Sequence, residues 1–293
     1  MAKSPSHEFG QIVGTVLEMA VEPFLRELAA KHGLYLDVKG PRAARRGRSK
    51  VTWLDQYDNA HDLDFVLERN GSDEQQGTPV AFIETAWRRY TKHSRNKAQE
   101  IHGAVAPIRE KYRAAAPLAG VVLAGEFTAD SLLQLERLGF QLLHISYAHV
   151  VVAFARYGID ASSDETTPDA EFIRKIATWK QLPAARRKQL AADLANCDRR
   201  AVRDFITVIE SAITRFVERV RVLPLHGEVR ELNCIANAVD FVSRYREQAR
   251  VGGFMKYEIE IRYSNGDKVL AEFSGKGVAV DFLKSYQDHF KPG

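Results

Sequence analysis

Two short segments that predict β-strands carry the acidic residues Asp62, Asp64 and Glu84. Asp62 and Asp64 belong to the segment HDLDFVLE, residues 61–68, and Glu84 lies in PVAFIETA, residues 79–86. Side chains alternate between the two faces of a strand, so this spacing predicts that Asp62 and Asp64 share a face. A carboxylate inside an apolar strand is costly unless it is paired or binds a metal. One Asp and one Glu on neighbouring strands would suit Mg²⁺, which takes oxygen ligands and usually one or two protein carboxylates.

Positive charge is concentrated on either side of these strands. Residues 39–50 read KGPRAARRGRSK, with six cations and no acid, and residues 88–97 read RRYTKHSRNK, also without an acid. Such runs favour phosphate binding, although an isolated basic run is as often a solvated loop. Carboxylates beside a basic cluster favour phosphodiester chemistry over glycoside hydrolysis, which needs no basic surround. The candidate DNA contacts are Arg42, Arg45, Arg46, Arg48, Lys50, Arg88 and Arg95.

The elements that must position these side chains follow from hydrophobic periodicity. A short strand over 34–38 stands apart from the main order. That order is helix, three strands, helix, strand, helix, strand, helix, and its segments are 11–31, 51–57, 61–68, 79–86, 96–113, 118–124, 129–138, 140–145 and 148–157. Strands close together in the chain, followed by strand–helix–strand units, predict an α/β (α+β) fold with a mixed central sheet flanked by helices.

The polar segment DASSDETTP, residues 160–168, predicts a boundary between a domain of residues 1–159 and a domain of residues 160–293. The second domain begins with helices and ends in a weak repeat. The sequence AVDF occurs at 238–241 and again at 279–282, and a candidate hairpin precedes each copy. The tail is therefore a candidate duplicated strand–strand–helix unit for DNA recognition or dimerisation. Chance similarity between two amphipathic helices would give the same pattern.

In residues 11–157, the element order and its acidic residues resemble the PD-(D/E)XK nuclease superfamily, the fold of most type II restriction endonucleases. Leu63-Asp64 matches the "PD" of the motif, and Glu84-Thr85-Ala86 matches "(D/E)XK". The basic, amide-containing run AWRRYTKHSRNKAQEI after the motif strand is similar to a helix that many members carry there. The resemblance implies that Asp64, Glu84 and the backbone carbonyl of Thr85 hold Mg²⁺. Asp62 is the second choice to Asp64.

The sequence departs from the motif at its lysine, which falls on Ala86. Lys97 in the first turn of the following helix is the preferred replacement. Lys92 comes next, and Arg88 continues the strand alternation. The alternative interpretation is that no residue replaces the motif lysine, because the domain no longer cleaves DNA. The resemblance also makes Glu18 on the first helix a candidate near the site, and Glu100 is a further candidate on the metal's outer shell.

Composition narrows the class of protein. The 293 residues are 45% hydrophobic and 27% charged, a balance typical of a folded chain, and the formal net charge is only +4. No apolar run approaches a membrane span, and the segment MAKSPSHEFGQ lacks the apolar core of a secretory signal. Two cysteines, Cys197 and Cys234, are too few for a disulfide framework or a four-ligand zinc site, so we expect reduced thiols in a cytoplasmic protein.

These observations lead to one preferred function and two alternatives. The preferred function is a Mg²⁺-dependent endonuclease of restriction type that cuts duplex DNA as a homodimer, because two strands usually need two sites. A DNA methyltransferase would then protect the host. The first alternative is a non-cleaving DNA-binding or scaffold protein on the same fold. The second is a repair or defence nuclease that acts on branched or damaged DNA.

Overall fold

The computed structural model describes residues 4–91, 94–115, 117–225, 227–247 and 254–286, with only the backbone at positions 94, 95 and 114. The chain begins with a long helix, α1, Pro5–Lys31. Ser4 caps it, since its hydroxyl accepts a hydrogen bond from the backbone N–H of His7 at 3.3 Å. The helix continues through Pro23 without a break. Its buried face packs against the sheet and against later helices.

Five strands form the central mixed sheet. In chain order they are β1 (Tyr35–Val38), β4 (Phe65–Arg69), β5 (Thr78–Arg88), β6 (Leu118–Gly125) and β7 (Phe140–Ser146). The spatial order is the same, with β1, β4 and β5 antiparallel in turn and β5, β6 and β7 parallel. The predicted α+β class with a mixed sheet is therefore confirmed.

Two further strands, β2 (Val51–Leu54) and β3 (Ala60–Leu63), form a separate hairpin. The segment 51–57, expected in the main sheet, thus lies outside it, and the short 34–38 segment supplies the edge strand β1 instead. The reason lies at Asp64, where a bend separates β3 from β4. The predicted single strand over residues 61–68 is therefore two strands that belong to different sheets.

The helices that follow β5, β6 and β7 are those predicted: α2 (Ser94–Lys111), α3 (Ala129–Arg137) and α4 (Tyr147–Ala155). One buried apolar cluster joins α2 to strands β4 to β7 and to the hairpin, and Phe82, Ile101 and Val121 lie in it. This packing fixes the start of α2 over the strand that carries Glu84.

Three helices follow: α5 (Asp169–Gln181), α6 (Ala184–Cys197) and α7 (Arg199–Ile213). Helices α5 and α6 pack against α1, and α6 also packs against α4. The chain accordingly divides into compact units of residues 1–210 and 211–293. We expected a boundary at 159/160; the structure instead groups the helices after residue 160 with the first unit, because their apolar faces, including Phe172 and Leu190, are buried there.

The second unit contains β8 (Val217–Pro224), β9 (Arg230–Leu232), α8 (Ile235–Arg244), β10 (Tyr257–Tyr263), β11 (Lys268–Phe273) and α9 (Lys276–Ser285). Its four strands are antiparallel in the order β11-β10-β8-β9, and α8 and α9 contribute to one core with them. Two successive strand–strand–helix units are present, as the repeat predicts. The second hairpin turns at Asn265-Gly266 as expected, where Gly266 has φ +89°; His226, expected in the first turn, lies outside the described residues.

Among the described residues, no helix combines the length and the hydropathy that a bilayer crossing requires.

Candidate active site

Asp64 and Glu84 are interlocked by hydrogen bonds. Asp64 lies at the bend just before β4, and Glu84 lies on the adjacent strand β5, one position past the Phe65–Ile83 pair. The backbone N–H of Asp64 donates to Oε1 of Glu84 at 3.1 Å. In return, Oδ2 of Asp64 accepts hydrogen bonds from both the backbone N–H and the hydroxyl of Thr85, each at 2.7 Å. Strand pairing therefore brings together two carboxylates that are 20 residues apart in the chain.

The electrostatics of this pair favour a cation. Burial, and then the negative charge of Asp64, raise the pKa of Glu84 to about 8. The hydrogen bond from the Asp64 backbone and the positive charge of Lys97 act in the opposite direction but do not cancel this shift. Burial and the neighbouring carboxylate therefore disfavour the charged form of Glu84, and a cation bound beside the pair would offset both effects.

Glu18 of α1 interacts electrostatically with the pair. Burial, and next the charge of Asp64, raise the pKa of Glu18, whereas Lys39 lowers it. Glu18 in turn contributes to the raised pKa of Glu84. The first-helix carboxylate that the sequence suggested therefore lies within electrostatic reach of both strand carboxylates, and Lys39 is a neighbour that the sequence analysis did not assign to the site.

Lys97 lies close enough to Glu84 to lower its pKa, while Ala86 is buried at 5% exposure. Ala86 and Ala98 belong to the same buried apolar cluster, so small side chains let the start of α2 lie near the strand. The ammonium of Lys97 is 3.2 Å from Glu100, whose carboxylate is also 3.5 Å from the guanidinium of Arg88. Of the predicted replacements for the motif lysine, Lys97 and Arg88 thus meet at Glu100, whereas Lys92 lies outside the described residues.

Asp62 is not part of this arrangement. Its carboxylate forms an ion pair with Lys50 and accepts a hydrogen bond from the hydroxyl of Thr52 at 2.8 Å. Both partners are on the hairpin side of the bend. The predicted shared face of Asp62 and Asp64 is wrong because the alternation of a strand does not continue through the bend at Asp64.

Arg42 and Arg45, predicted to contact DNA, are instead buried, at 3% and 6% exposure. Arg42 forms ion pairs with Glu68 at 2.6 Å and with Asp37 at 2.8 Å, and Arg45 pairs with Asp37 at 3.1 Å. The Arg42 guanidinium also donates to the backbone carbonyls of Ser72 and Gln75 in the loop between β4 and β5. The Arg45 guanidinium donates to the carbonyls of Val38, Gly40 and Arg48. Their donors are directed into the protein, so neither residue is available to phosphate.

The other predicted DNA contacts differ in their surroundings. Arg46 and Arg48 are exposed, Lys50 is exposed but paired with Asp62, and Arg88 is half-buried. The side chain of Arg95 lies outside the described residues. The exposed cations of the basic run 39–50 are therefore Lys39, Arg46, Arg48 and Lys50, and the two arginines between Lys39 and Arg46 are buried.

The donor set fits a hard divalent cation. All of its candidate ligands are oxygens: the carboxylates of Asp64 and Glu84, with the carbonyl of Thr85 as the third predicted ligand. Within the described ranges, no group of three or more His, Cys, Asp or Glu side chains converges tightly enough to hold a metal alone. Mg²⁺ does not require such a group, because it is commonly held by one or two carboxylates and completes its shell with water and phosphate.

The buried ionic cluster formed by Asp37, Arg42, Arg45 and Glu68 was not predicted from the sequence. A signal was present, because Asp37 lies in the short apolar segment YLDV in the same way that Glu84 lies in its strand. Only the tertiary structure separates the two cases. Asp37 meets two guanidinium groups, whereas Glu84 meets a second carboxylate.

Comparisons with known proteins do not assign the chain to a family. No protein-family model matches it, and no curated protein matches it. Among solved structures, the chain is similar to a crystal structure of a protein of unknown function, AF1548. That match has 11% identity and a TM-score of 0.30, and it covers 65% of this chain and 98% of the other.

Proposed function

We propose that the first unit is a Mg²⁺-dependent endonuclease of restriction type, which hydrolyses phosphodiester bonds in duplex DNA. The observation that supports this proposal is the interlocked pair of Asp64 and Glu84 at adjoining strand positions. Glu18 and Lys97 lie within electrostatic reach of the pair. Two carboxylates for a metal with a lysine beside them are the groups that phosphodiester hydrolysis needs.

Each residue has a defined part in this proposal. Asp64 and Glu84 hold the metal, and Thr85 fixes the rotamer of Asp64 through its two hydrogen bonds. When bound, Mg²⁺ lowers the pKa of a coordinated water and neutralises charge on the phosphate. Lys97 supplies positive charge beside the scissile phosphate, and Glu100 orients both Lys97 and Arg88.

The test is cleavage of plasmid and linear duplex DNA by the full chain in Mg²⁺ or Mn²⁺. We expect Asp64→Asn and Glu84→Gln each to lower the cleavage rate by about 100-fold or more, since removing one charged group at such a site costs that much. Asp62→Asn is the matched control. It changes a carboxylate only two residues from Asp64 that is directed to Lys50, and it should cleave at nearly the parental rate.

Two outcomes would contradict the site assignment. In the first, Asp64→Asn and Glu84→Gln cleave as fast as the parent. In the second, Asp62→Asn loses as much activity as they do. Thermal unfolding of each variant separates loss of chemistry from loss of fold.

A second candidate function is a DNA-binding or scaffold protein that does not cleave, and the buried Ala86 at the lysine position favours it. Salt-dependent DNA binding without cleavage in any divalent metal would support this reading. Restoring the motif residue by Ala86→Lys tests it further: gain of cleavage identifies a lapsed nuclease. Substrate assays with branched and damaged DNA distinguish the repair or defence role from restriction.

The homodimer, the cytoplasmic location and a companion methyltransferase remain parts of the restriction proposal. A methyltransferase gene beside that of this protein would favour restriction over repair, because a restriction nuclease requires protection of the host DNA.

A further inference from the structure

The outer edge of the second unit's sheet is a six-residue strand, β11, with sequence KVLAEF. Its partner β10 lies on one side, and no described strand pairs with its other side. The opposite edge, β9, has only three residues. An unpaired edge of this length presents a row of backbone N–H and C=O groups to solvent and is a template for pairing.

The hydrogen-bonding pattern defines which residues of β11 face outward. The backbone N–H of Tyr263 donates to the carbonyl of Asp267 at 2.9 Å, which makes this a hydrogen-bonded pair next to the turn. Antiparallel pairs alternate between bonded and non-bonded, so residues 269, 271 and 273 bond to β10 and residues 268, 270 and 272 direct their backbone groups to the free edge.

The side chains on that free edge are self-complementary. Lys268, Leu270 and Glu272 are all exposed, Leu270 at 63%, and they share the sheet face that the helices leave open. Consider an antiparallel pair of β11 strands from two copies, related by a two-fold axis at Leu270. Lys268 of each copy then lies opposite Glu272 of the other, and the two Leu270 side chains meet at the axis. Opposite charges and apolar pairs directly across a strand pair are stabilising.

Neighbouring registers lack this match. A shift of one copy by two residues places Leu270 opposite either Glu272 or Lys268, and a shift by four residues places like charges together. Shifts by an odd number break both the hydrogen-bond pattern and the match of faces. The pairing is also closed, because a two-fold axis uses each β11 edge once and leaves no long edge for a third copy.

We propose that β11 pairs with β11 of a second copy of this chain and forms a two-fold dimer with a continuous eight-stranded sheet. Glu272 already contacts Lys256 at 2.7 Å and in the dimer accepts a second cation, Lys268 of the other copy. The dimer needs no assumption about DNA cleavage. Its test is oligomeric state alone, so its failure is distinguishable from failure of the nuclease proposal.

The experiment is sedimentation equilibrium of the full chain with a charge exchange. We expect a dimer for the parent. Lys268→Glu and Glu272→Lys should each raise the dissociation constant about tenfold or more, because each places like charges opposite one another at two symmetric positions. The double variant, with both changes, re-creates the opposite-charge pairs and should return towards the parental value.

Lys284→Glu, which changes an exposed lysine on α9 and not on β11, is the matched charge-reversal control and should leave the dissociation constant unchanged. Leu270→Lys places two cations at the axis and should give monomers. Far-UV circular dichroism and the unfolding temperature confirm that each variant is folded. A monomeric parent, or a dimer that is insensitive to Lys268→Glu and Leu270→Lys, would overturn the proposal. Weakening by both single charge variants without recovery in the double variant would overturn the register.

Discussion

At the scale of single residues, surroundings decide what a buried charge does. Glu68 and Asp37 face Arg42 and Arg45 in a buried cluster, whereas Glu84 faces Asp64. Removing Arg42 would leave the buried carboxylate of Glu68 without its ion-pair partner, at a cost of about 3–5 kcal/mol, whereas Asp37 would keep Arg45. The first set is a structural device that ties the basic loop to the sheet, and the second is an acidic pair suited to a cation.

The role of Lys97 is testable at this scale. We expect Lys97→Ala to lower the cleavage rate about 100-fold while DNA affinity changes little, because a single ammonium beside the reacting phosphate stabilises the transition state more than the bound state. Lys97→Arg keeps the charge and should retain more activity than Lys97→Ala. Single-turnover cleavage and equilibrium binding give the two quantities.

Lys188→Ala, which changes an exposed lysine on α6, serves as the control and should behave as the parent. If Lys97→Ala cleaves normally, the function of the motif lysine belongs elsewhere, and Lys92 and Arg88 become the next residues to change.

At the scale of elements, the site depends on two short structures, the bend at Asp64 and the hairpin β2–β3 before it. Asp55 holds the hairpin loop together. Its carboxylate accepts hydrogen bonds from the backbone N–H groups of Tyr57 at 2.8 Å and Asn59 at 3.0 Å, and from the side chains of Asn59 and His61. The loop in turn fixes where β3 ends and the bend begins.

This element has a pH-dependent stability. Burial alone would favour the neutral acid, but the hydrogen bonds from Asn59, His61 and Tyr57 hold the pKa of Asp55 well below its usual range. Its contribution is therefore complete above the unfolded-state pKa of about 3.9 and is lost as the pH falls through the lower folded-state value. We expect Asp55→Asn to lower the free energy of unfolding at pH 7. The difference in this free energy between the variant and the parent should become smaller below about pH 4.

Urea unfolding at several pH values measures this difference. Asp58→Asn is the matched control, since Asp58 is exposed in the same loop and has φ +62°, a conformation that asparagine adopts readily. If the free energies of unfolding of Asp55→Asn and the parent differ by the same amount down to pH 3, the charge of the Asp55 carboxylate does not contribute to stability.

At the scale of the whole molecule, the chain has two compact units with separate cores, and the acidic site and the proposed dimer edge lie in different units. The first unit combines the sheet with α5 and α6 packed on α1, and the second is the repeated strand–strand–helix structure. Cleavage and dimerisation are therefore separable by truncation.

We expect a fragment of residues 1–213, which ends with α7, to unfold cooperatively and to sediment as a monomer, because β11 is absent from it. Acting one strand at a time, it should convert supercoiled plasmid to the nicked form before the linear form, whereas the full chain should give linear product earlier. Sedimentation velocity and a plasmid-cleavage time course measure both properties. A fragment that still dimerises would place the interface in the first unit.

The sequence alone predicted most of the elements and the two acidic residues that strand pairing brings together. Helical and strand periodicities are local, so α1 to α4, β5 to β7 and the two hairpins of the tail were readable from residue types. Asp64 and Glu84 were identifiable because a carboxylate in or beside an apolar strand is costly unless it is paired or binds a metal.

Only the tertiary structure decided which strands pair and which charges are already satisfied. The bend at Asp64 separates Asp62 from the site, and β1 takes the place of the 51–57 segment in the central sheet. Arg42 and Arg45 form buried ion pairs with Asp37 and Glu68. Each of these results depends on contacts between segments distant in the chain. The free energy of a charge is determined by those contacts and by burial, and neither is encoded in the spacing of residues along one strand.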